Sequence, residues 1–511
     1  MFGKTQRRKR ENNSDENPMP SSEPKIAPEE IVKIESIKQK FLDSTDIIFN
    51  EVIIDENRKL NVVFVDGMVN SEIIDNFVLK PLIQETILKE AKTEKDIIDL
   101  IMLGTVYHCQ RKLRDKLTDC YHDLLIGSLV LIFENSEKAV TFETKGFERR
   151  AVSEPTNENV LKGSKESFVE VLRINTALIR RRIPSSDLII SQLQMGRRTD
   201  TAVSVIYLEG IANKSIVEET KKRLNSVDID GISSLGIIEA CLRGRKYSLF
   251  PQALYTERTD KFCGNVLEGR IGIIADGFPL AIIVPVDINS FLQAPEDYAQ
   301  NYFYSSMYRM MRYISALVSL VLPAFYVSIT TFHPEMIPTK LAMAIIASKE
   351  GVPFPSYIEV LLMLGAFEVL LEAGMRLPKS VGQAVSIVGA LVVGQAAISA
   401  KILSPGVVII IAAAGITGFV IPSQDFSNTI RVCRLILVVC SITSGLYGVS
   451  IGSIVILYHL CDLEVLGVPY LSPFVSNEGK GMLNDTIIRK LWLKQKERPS
   501  NIYPEDSIRQ R

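Results

Sequence analysis

Ile314 to Phe332 reads ISALVSLVLPAFYVSITTF, nineteen residues without a charged side chain. An α-helix of this length covers the roughly 30 Å of hydrocarbon in a bilayer. About 300 residues of ordinary charged sequence precede the run, and about 150 residues almost free of charge follow its start. The break predicts an α/β cytosolic region followed by an α-helical multi-pass transmembrane bundle.

Within a bundle over residues 300–462, the apolar runs predict spans near 314–332, 381–400, 407–421 and 435–460. The run 407–421 is short but bounded by Pro405 and Pro422. The segment 356–375 has the right length yet carries Glu359, Glu368 and Glu372. Each carboxylate at the bilayer centre costs about 2.5–3.5 kcal/mol on an insertion scale. Glu368 and Glu372 share one stripe with Gly365 and Arg376, which predicts an amphipathic helix. Its acids either line a water-filled pathway or sit at the interface, with Glu372 paired to Arg376. Gln383 and Gln395 lie in a run of small residues, 382–397, where close helix packing comes before a pore role. Gly448 and Gly452 form a GxxxG that also reads as a packing face. Pro323 removes a backbone hydrogen bond inside its helix, so it is either a gating hinge or a static bend.

Arg309 and Arg312 immediately before the first span favour a cytosolic N-terminal domain. The tail 476–511 is basic as well and requires an even number of crossings. Four spans, with 356–375 as an amphipathic helix, satisfy both ends.

The cytosolic part divides into two α/β subdomains, 29–150 and 160–295, behind a basic, polar and disordered tail at 1–28. In the first, strand 60–66, helix 72–91, a second helix over about 96–119 and a hairpin at 128–143 are expected. In the second, helix 165–182, strand 202–208 and a hairpin turning at Asp276-Gly277 are expected. The five cations Lys4, Arg7, Arg8, Lys9 and Arg10 could meet anionic lipid headgroups, although a solvated tail is the simpler reading. Arg180-Arg181-Arg182 and Arg197-Arg198 fit an ion-paired face better than a phosphate site. A net charge of −1 gives no field for nucleic acid. Seven cysteines without CxxC spacing point to neither a disulfide framework nor a metal site, and His108, Cys109, Cys120 and His122 match no ligand spacing. No dinucleotide or phosphate loop and no nucleophile motif is present, so neither an enzyme nor a cofactor is expected.

Three motifs carry a resemblance: Thr331–Thr339 (TFHPEMIPT), Glu350–Pro355 (EGVPFP), and Glu372–Pro378 (EAGMRLP) continuing through Gly382–Leu391 (GQAVSIVGAL). With Gly163–Ile183 and Tyr207–Ala212 (YLEGIA), they resemble the A subunit of GerA-type spore germinant receptors over about residues 160–475. The resemblance implies a multi-pass protein of the inner spore membrane that works with a transporter-like B subunit and a lipoprotein C subunit. It also implies a homo-oligomer among membrane lipids that forms the ion-release pathway starting germination. A related stage V sporulation membrane protein shares this architecture, and a secondary transporter is a further alternative. Candidate pore or gating residues are Glu359, Glu368, Glu372, Gln383, Gln395 and Pro323, chosen for polarity; no ligand-binding or metal residue is assigned.

Overall fold

A computed structural model describes residues 31–55, 58–85, 93–106, 110–133, 135–146, 163–376, 394–475 and 485–489, with single residues and short pieces elsewhere. The chain forms two compact units. One holds the described residues of 1–39, 49–64 and 71–144, the other those of 40–48, 65–70 and 145–511.

In the first unit, strands β1 (Ile47–Asp55), β2 (Arg58–Val65), β3 (Arg111–Arg114), β4 (Leu129–Phe133) and β5 (Ala139–Phe142) form a sheet of order β1-β2-β4-β5-β3. Every residue of β4 and β5 is buried, which fits sequences that are apolar apart from Thr141. Helix α1 (Glu94–Leu103) starts in a Thr93–Asp96 capping box and stops at Gly104, whose φ of 111° is left-handed. The single helix expected over 96–119 is therefore broken. Arg111–Arg114 instead pairs with β5 as an edge strand, where charged residues tolerate solvent. Helix α2 (Leu117–Leu125) brings the buried Asp123 against this edge. Its carboxylate accepts from Arg114 Nε at 2.8 Å and from Thr141 Oγ1 at 2.7 Å.

The α/β part of the second unit is an antiparallel sheet, β6 (Leu188–Met195), β7 (Thr201–Leu208), β8 (Leu254–Thr256), β9 (Ile271–Ala275) and β10 (Ala281–Val284), in the order β6-β7-β9-β10-β8. Helices α3 (Leu172–Arg182), α4 (Lys214–Asn225), α5 (Leu235–Leu242) and α6 (Thr259–Leu267) bury their apolar stripes in the same core. Gly272 on β9 leaves room for the Phe262 ring of α6, which a Cβ would meet at 2.0 Å. The β9–β10 hairpin turns at Gly277, with φ 85°.

From residue 302 to residue 462 this unit is mainly helical: α7 (Tyr302–Phe332), α8 (Thr339–Ser348), α9 (Ser356–Arg376), α10 (Pro405–Phe419) and α11 (Gln424–Asp462). Pro323 is buried within α7, and the helix continues through it. The span expected over 435–460 is not one helix: Ser444 and Gly445 are non-helical, and Gly445 takes φ 58°, ψ −137°. The chain doubles back there, giving an outgoing leg of about 20 residues and a returning leg of about 17. At 1.5 Å per residue they are about 30 and 25 Å long. The GxxxG glycines make the turn possible, since a Cβ on Gly448 would lie 2.1 Å from the Cys440 carbonyl oxygen and one on Gly452 2.7 Å from Leu437.

Contacts fix the direction of each leg. Both ends of α11 return to the α/β part, where Thr429 Oγ1 donates to the Leu249 carbonyl at 2.8 Å and His459 Nε2 lies 2.9 Å from Ser248 Oγ. Its turn packs on Phe332 at the far end of α7. Helix α10 runs the opposite way to α7, because Gly406 meets Tyr326 while Ala414 accepts from Ser319 Oγ at 2.9 Å. Helix α9 also runs back, from Glu359 beside Ser404 to Glu368 beside Arg431. Most of the run 381–400 lies outside the described residues. Helix α7 is long and apolar enough to cross a membrane by length and composition, and α11 meets the same measure only when its two legs are taken as one run of 39 residues.

Candidate functional site

Where α7 leaves the α/β part, the polar sequence ahead of the apolar run builds a joint. Arg309 is fully buried. Its Nε donates to Asp297 Oδ2 at 3.1 Å, and its Nη1 donates to Asp485 Oδ1 at 2.8 Å and to the carbonyls of Asp485 and Thr486. Arg312, one turn on, donates to the same Asp297 oxygen at 2.6 Å. The Tyr298 hydroxyl donates to Asp485 Oδ2 at 3.0 Å, and the Arg309 and Arg489 guanidiniums each lie over its ring, 5.3 Å from the centroid. Asn289 donates to the Ser472 carbonyl and accepts from Tyr313. The joint thus ties the α/β part, the base of α7 and the C-terminal segment into one network. Forked charge-assisted bonds of this kind fix orientation as well as distance.

The sequence-predicted acids separate into three environments. Glu359 is wholly buried and accepts from the Ser404 backbone N–H at 2.6 Å, so a carboxylate caps the N-terminus of α10. Its second oxygen, Ser404 Oγ and Tyr326 Oη have no described partner. Glu368 is half exposed and accepts from Arg431 Nη1 at 3.0 Å. Glu372 is exposed and pairs with Arg376 one turn on. Gln395 is exposed, and Gln383 lies outside the described residues. Pro323 faces the buried side of α7 and touches none of these acids through a hydrogen bond.

The basic runs of the α/β part are internally paired. Arg180 is buried and donates to both oxygens of Asp46, at 2.9 and 3.0 Å, and to the carbonyls of Ser185 and Leu188. Arg181 and Arg182 share Glu166, while Arg197 and Arg198 face Asp228 and Asp230. Burial pushes the Asp46 carboxyl up, and Arg180 only partly offsets this. Sequence reasoning missed Asp297, Asp485 and Arg434. Arg309 and Arg312, three apart on one helix face, were the available signal, but they register in the sequence only as charge bias.

Fold and joint together define a protein in which a mixed α/β region is clamped onto an antiparallel helical bundle, with no evident catalytic constellation among the described residues. The chain belongs to the Bacillus/Clostridium GerA spore germination protein family, whose pattern matches residues 35–501. Spore germination protein KA of Bacillus subtilis (strain 168) is 37% identical over 95% of this chain and 89% of its own length. Spore germination protein B1 of the same organism is 33% identical over 94% of this chain and 98% of its own. The crystal structure of the N-terminal domain of the A subunit of the Bacillus megaterium spore germinant receptor GerK3 aligns with 50% of this chain and 97% of that one, at 28% identity and a TM-score of 0.41.

Proposed function

We propose that this chain is the A-type subunit of a nutrient-sensing germinant receptor in the inner membrane of the spore. The observation that carries the reading is the near end-to-end match to spore germination proteins KA and B1. The helical legs support a multi-pass membrane position. They turn outward a set of exposed apolar residues, including Leu317, Val369, Ile409, Ile416, Val439 and Ile454, a surface that water disfavours. The matching relative YfkQ, 35% identical, is described as a membrane protein. The α/β units are assigned to the cytosol from Arg309 and Arg312, and both ends of the bundle return to that side. A transporter-like B subunit and a lipoprotein C subunit complete the complex, and copies of this chain assemble so that their bundles form the path for ion release. Nutrient binding shifts the assembly from a closed to an open state, which requires different affinities for the two. The chain is assigned no catalytic step.

The test is nutrient-triggered cation release from spores that lack the chain, that carry it, or that carry the paired change Glu368→Ala and Glu372→Ala. Release should depend on the chain, and the paired variant should alter its rate or ion preference at normal protein level. Full release without the chain overturns the proposal.

A further inference from the structure

Two guanidiniums near the base of the bundle have one acid between them. Arg434 has 2% of its side chain exposed and donates no hydrogen bond to any described residue, although it carries five N–H groups. Its closest carboxylate oxygen is Glu368 Oε1, at 3.9 Å. Arg431, one turn earlier and 14% exposed, takes the better share of Glu368 at 3.0 Å and also reaches Asn428, yet its Nε is left over. Glu368 itself is 45% exposed, and it is the only acid among the described residues acting on Arg434. An unpaired charge held out of water carries a cost of several kcal/mol per ion.

Arg431 and Arg434 border a cavity of about 180 Å³ between α9, α10 and α11. Phe367, Leu371 and Phe419 form its apolar wall. Gly415 keeps the Phe367 ring in place, since a Cβ there would meet the ring at 2.6 Å. We propose that this cavity binds one carboxylate or phosphate group carried on an apolar body, with Arg434 and Arg431 holding the acid group and the phenyl wall covering the rest. Guanidinium N–H pairs match both acids in a forked geometry. A water molecule could accept N–H bonds here, but it leaves the excess positive charge unanswered. A metal cation would add to that excess. Glu368, 3.0 Å from Arg431 and 3.9 Å from Arg434, competes with the bound anion for the two guanidiniums.

The test uses the full chain, and its readout does not depend on germination. Unfolding midpoints are measured in a neutral detergent with sodium isovalerate, inorganic phosphate or, as control, isopentylamine hydrochloride. They are also measured in discs of phosphatidylcholine with and without phosphatidylglycerol. An anion should raise the midpoint saturably while the amine does not. Response to the free acids identifies a small-molecule source, and response to phosphatidylglycerol alone a lipid. Arg434→Gln should abolish the shift. Glu368→Gln should keep it and lower the half-saturating concentration several-fold, because it frees both guanidiniums. The proposal is overturned if no anion outperforms the amine, or if Glu368→Gln weakens the response. Should Arg434→Gln fail to accumulate, the Glu368→Gln titration decides alone.

Discussion

Glu268, just past the end of α6, is a residue whose charge state should change the stability of the α/β part. Its side chain is 14% exposed and borders a cavity of about 250 Å³ that also touches Tyr298 of the joint. Burial pushes its carboxyl up to about 7; Arg270 and the Arg509 guanidinium, 3.8 Å away, offset this only in part, and Asp485 and Asp287 add to it. An unfolded glutamate titrates near 4.3, so the folded chain binds the extra proton between roughly pH 4.5 and 7. Stability therefore falls as pH rises through that window and stays low above it. Raising the carboxyl from its ordinary range to about 7 corresponds to about 3 kcal/mol. Glu268→Gln removes the charge at nearly constant volume. Unfolding of the full chain in lipid discs should show the variant nearly equal to the native protein near pH 4, below the unfolded value. Near pH 8 the variant should be more stable by up to about 3 kcal/mol, less whatever attraction to Arg509 is lost. An equal difference at both pH values, or a variant destabilised at pH 8, would refute the assignment of a buried, disfavoured carboxylate.

Three further perturbations probe other parts of the molecule. Arg180→Met leaves Asp46 buried without its partner and should destabilise the α/β part by about 3–5 kcal/mol, read as a shift in the denaturant midpoint. Gly445→Val forces a β-branched residue into φ 58°, with its Cβ 2.9 Å from that of Phe332; it should cost at least about 1–3 kcal/mol and lower the amount of folded protein in membranes, whereas normal accumulation would argue against the hairpin. In a background without the native cysteines, Ser444→Cys and Arg245→Cys should react with an impermeant maleimide from opposite faces of the membrane, and labelling from one face would contradict the proposed insertion of the helical legs.

The sequence displayed the strands of the two hairpins, because apolar runs on either side of a polar stretch or a turn dipeptide leave few alternatives. Leu129–Phe133 with Ala139–Phe142 and Ile271–Ala275 with Ala281–Val284 are such pairs. It did not display β3, whose RKLR run has helix-compatible composition and becomes a strand only because β5 offers an edge. The doubling back of α11 was hidden for a related reason. Residues 435–460 carry no acid, lysine or arginine, and periodicity cannot distinguish one span from two legs when both faces are largely apolar. Gly445, Gly448 and Gly452 were visible, but the reversal depends on which backbone they lie against. The joint was least legible of all, since Asp297 and Asp485 lie nearly 190 residues apart and only the fold brings both to Arg309.

The anchoring of α7 limits how a change in the α/β part can reach the far end of the bundle. Its base is held by Arg309 through bonds to two carboxylates, and its tip rests on Gly445, the turn of α11. Both legs of α11 come back to consecutive residues, Ser248 and Leu249, in one loop. Phe426 at the start of the first leg stacks on Phe291 at 5.8 Å, beside the turn that leads to Asp297. Displacing that loop therefore moves both legs together, and with them the support under the tip of α7. Moving Asp297 instead acts on the base of α7. Forked ion pairs stretch poorly, and a packed helix pair has few alternative registers, so a transmitted change should take the form of a switch between discrete arrangements rather than a graded bend. Arg309→Lys is the discriminating variant: a single ammonium cannot reproduce the fork to Asp297 and Asp485, so the base of α7 loosens while the loop at Ser248 and Leu249 is untouched. If nutrient-triggered release in spores survives this change with normal kinetics, the signal travels through the α11 loop alone. A slowed release at normal protein level assigns the joint to the transmission path.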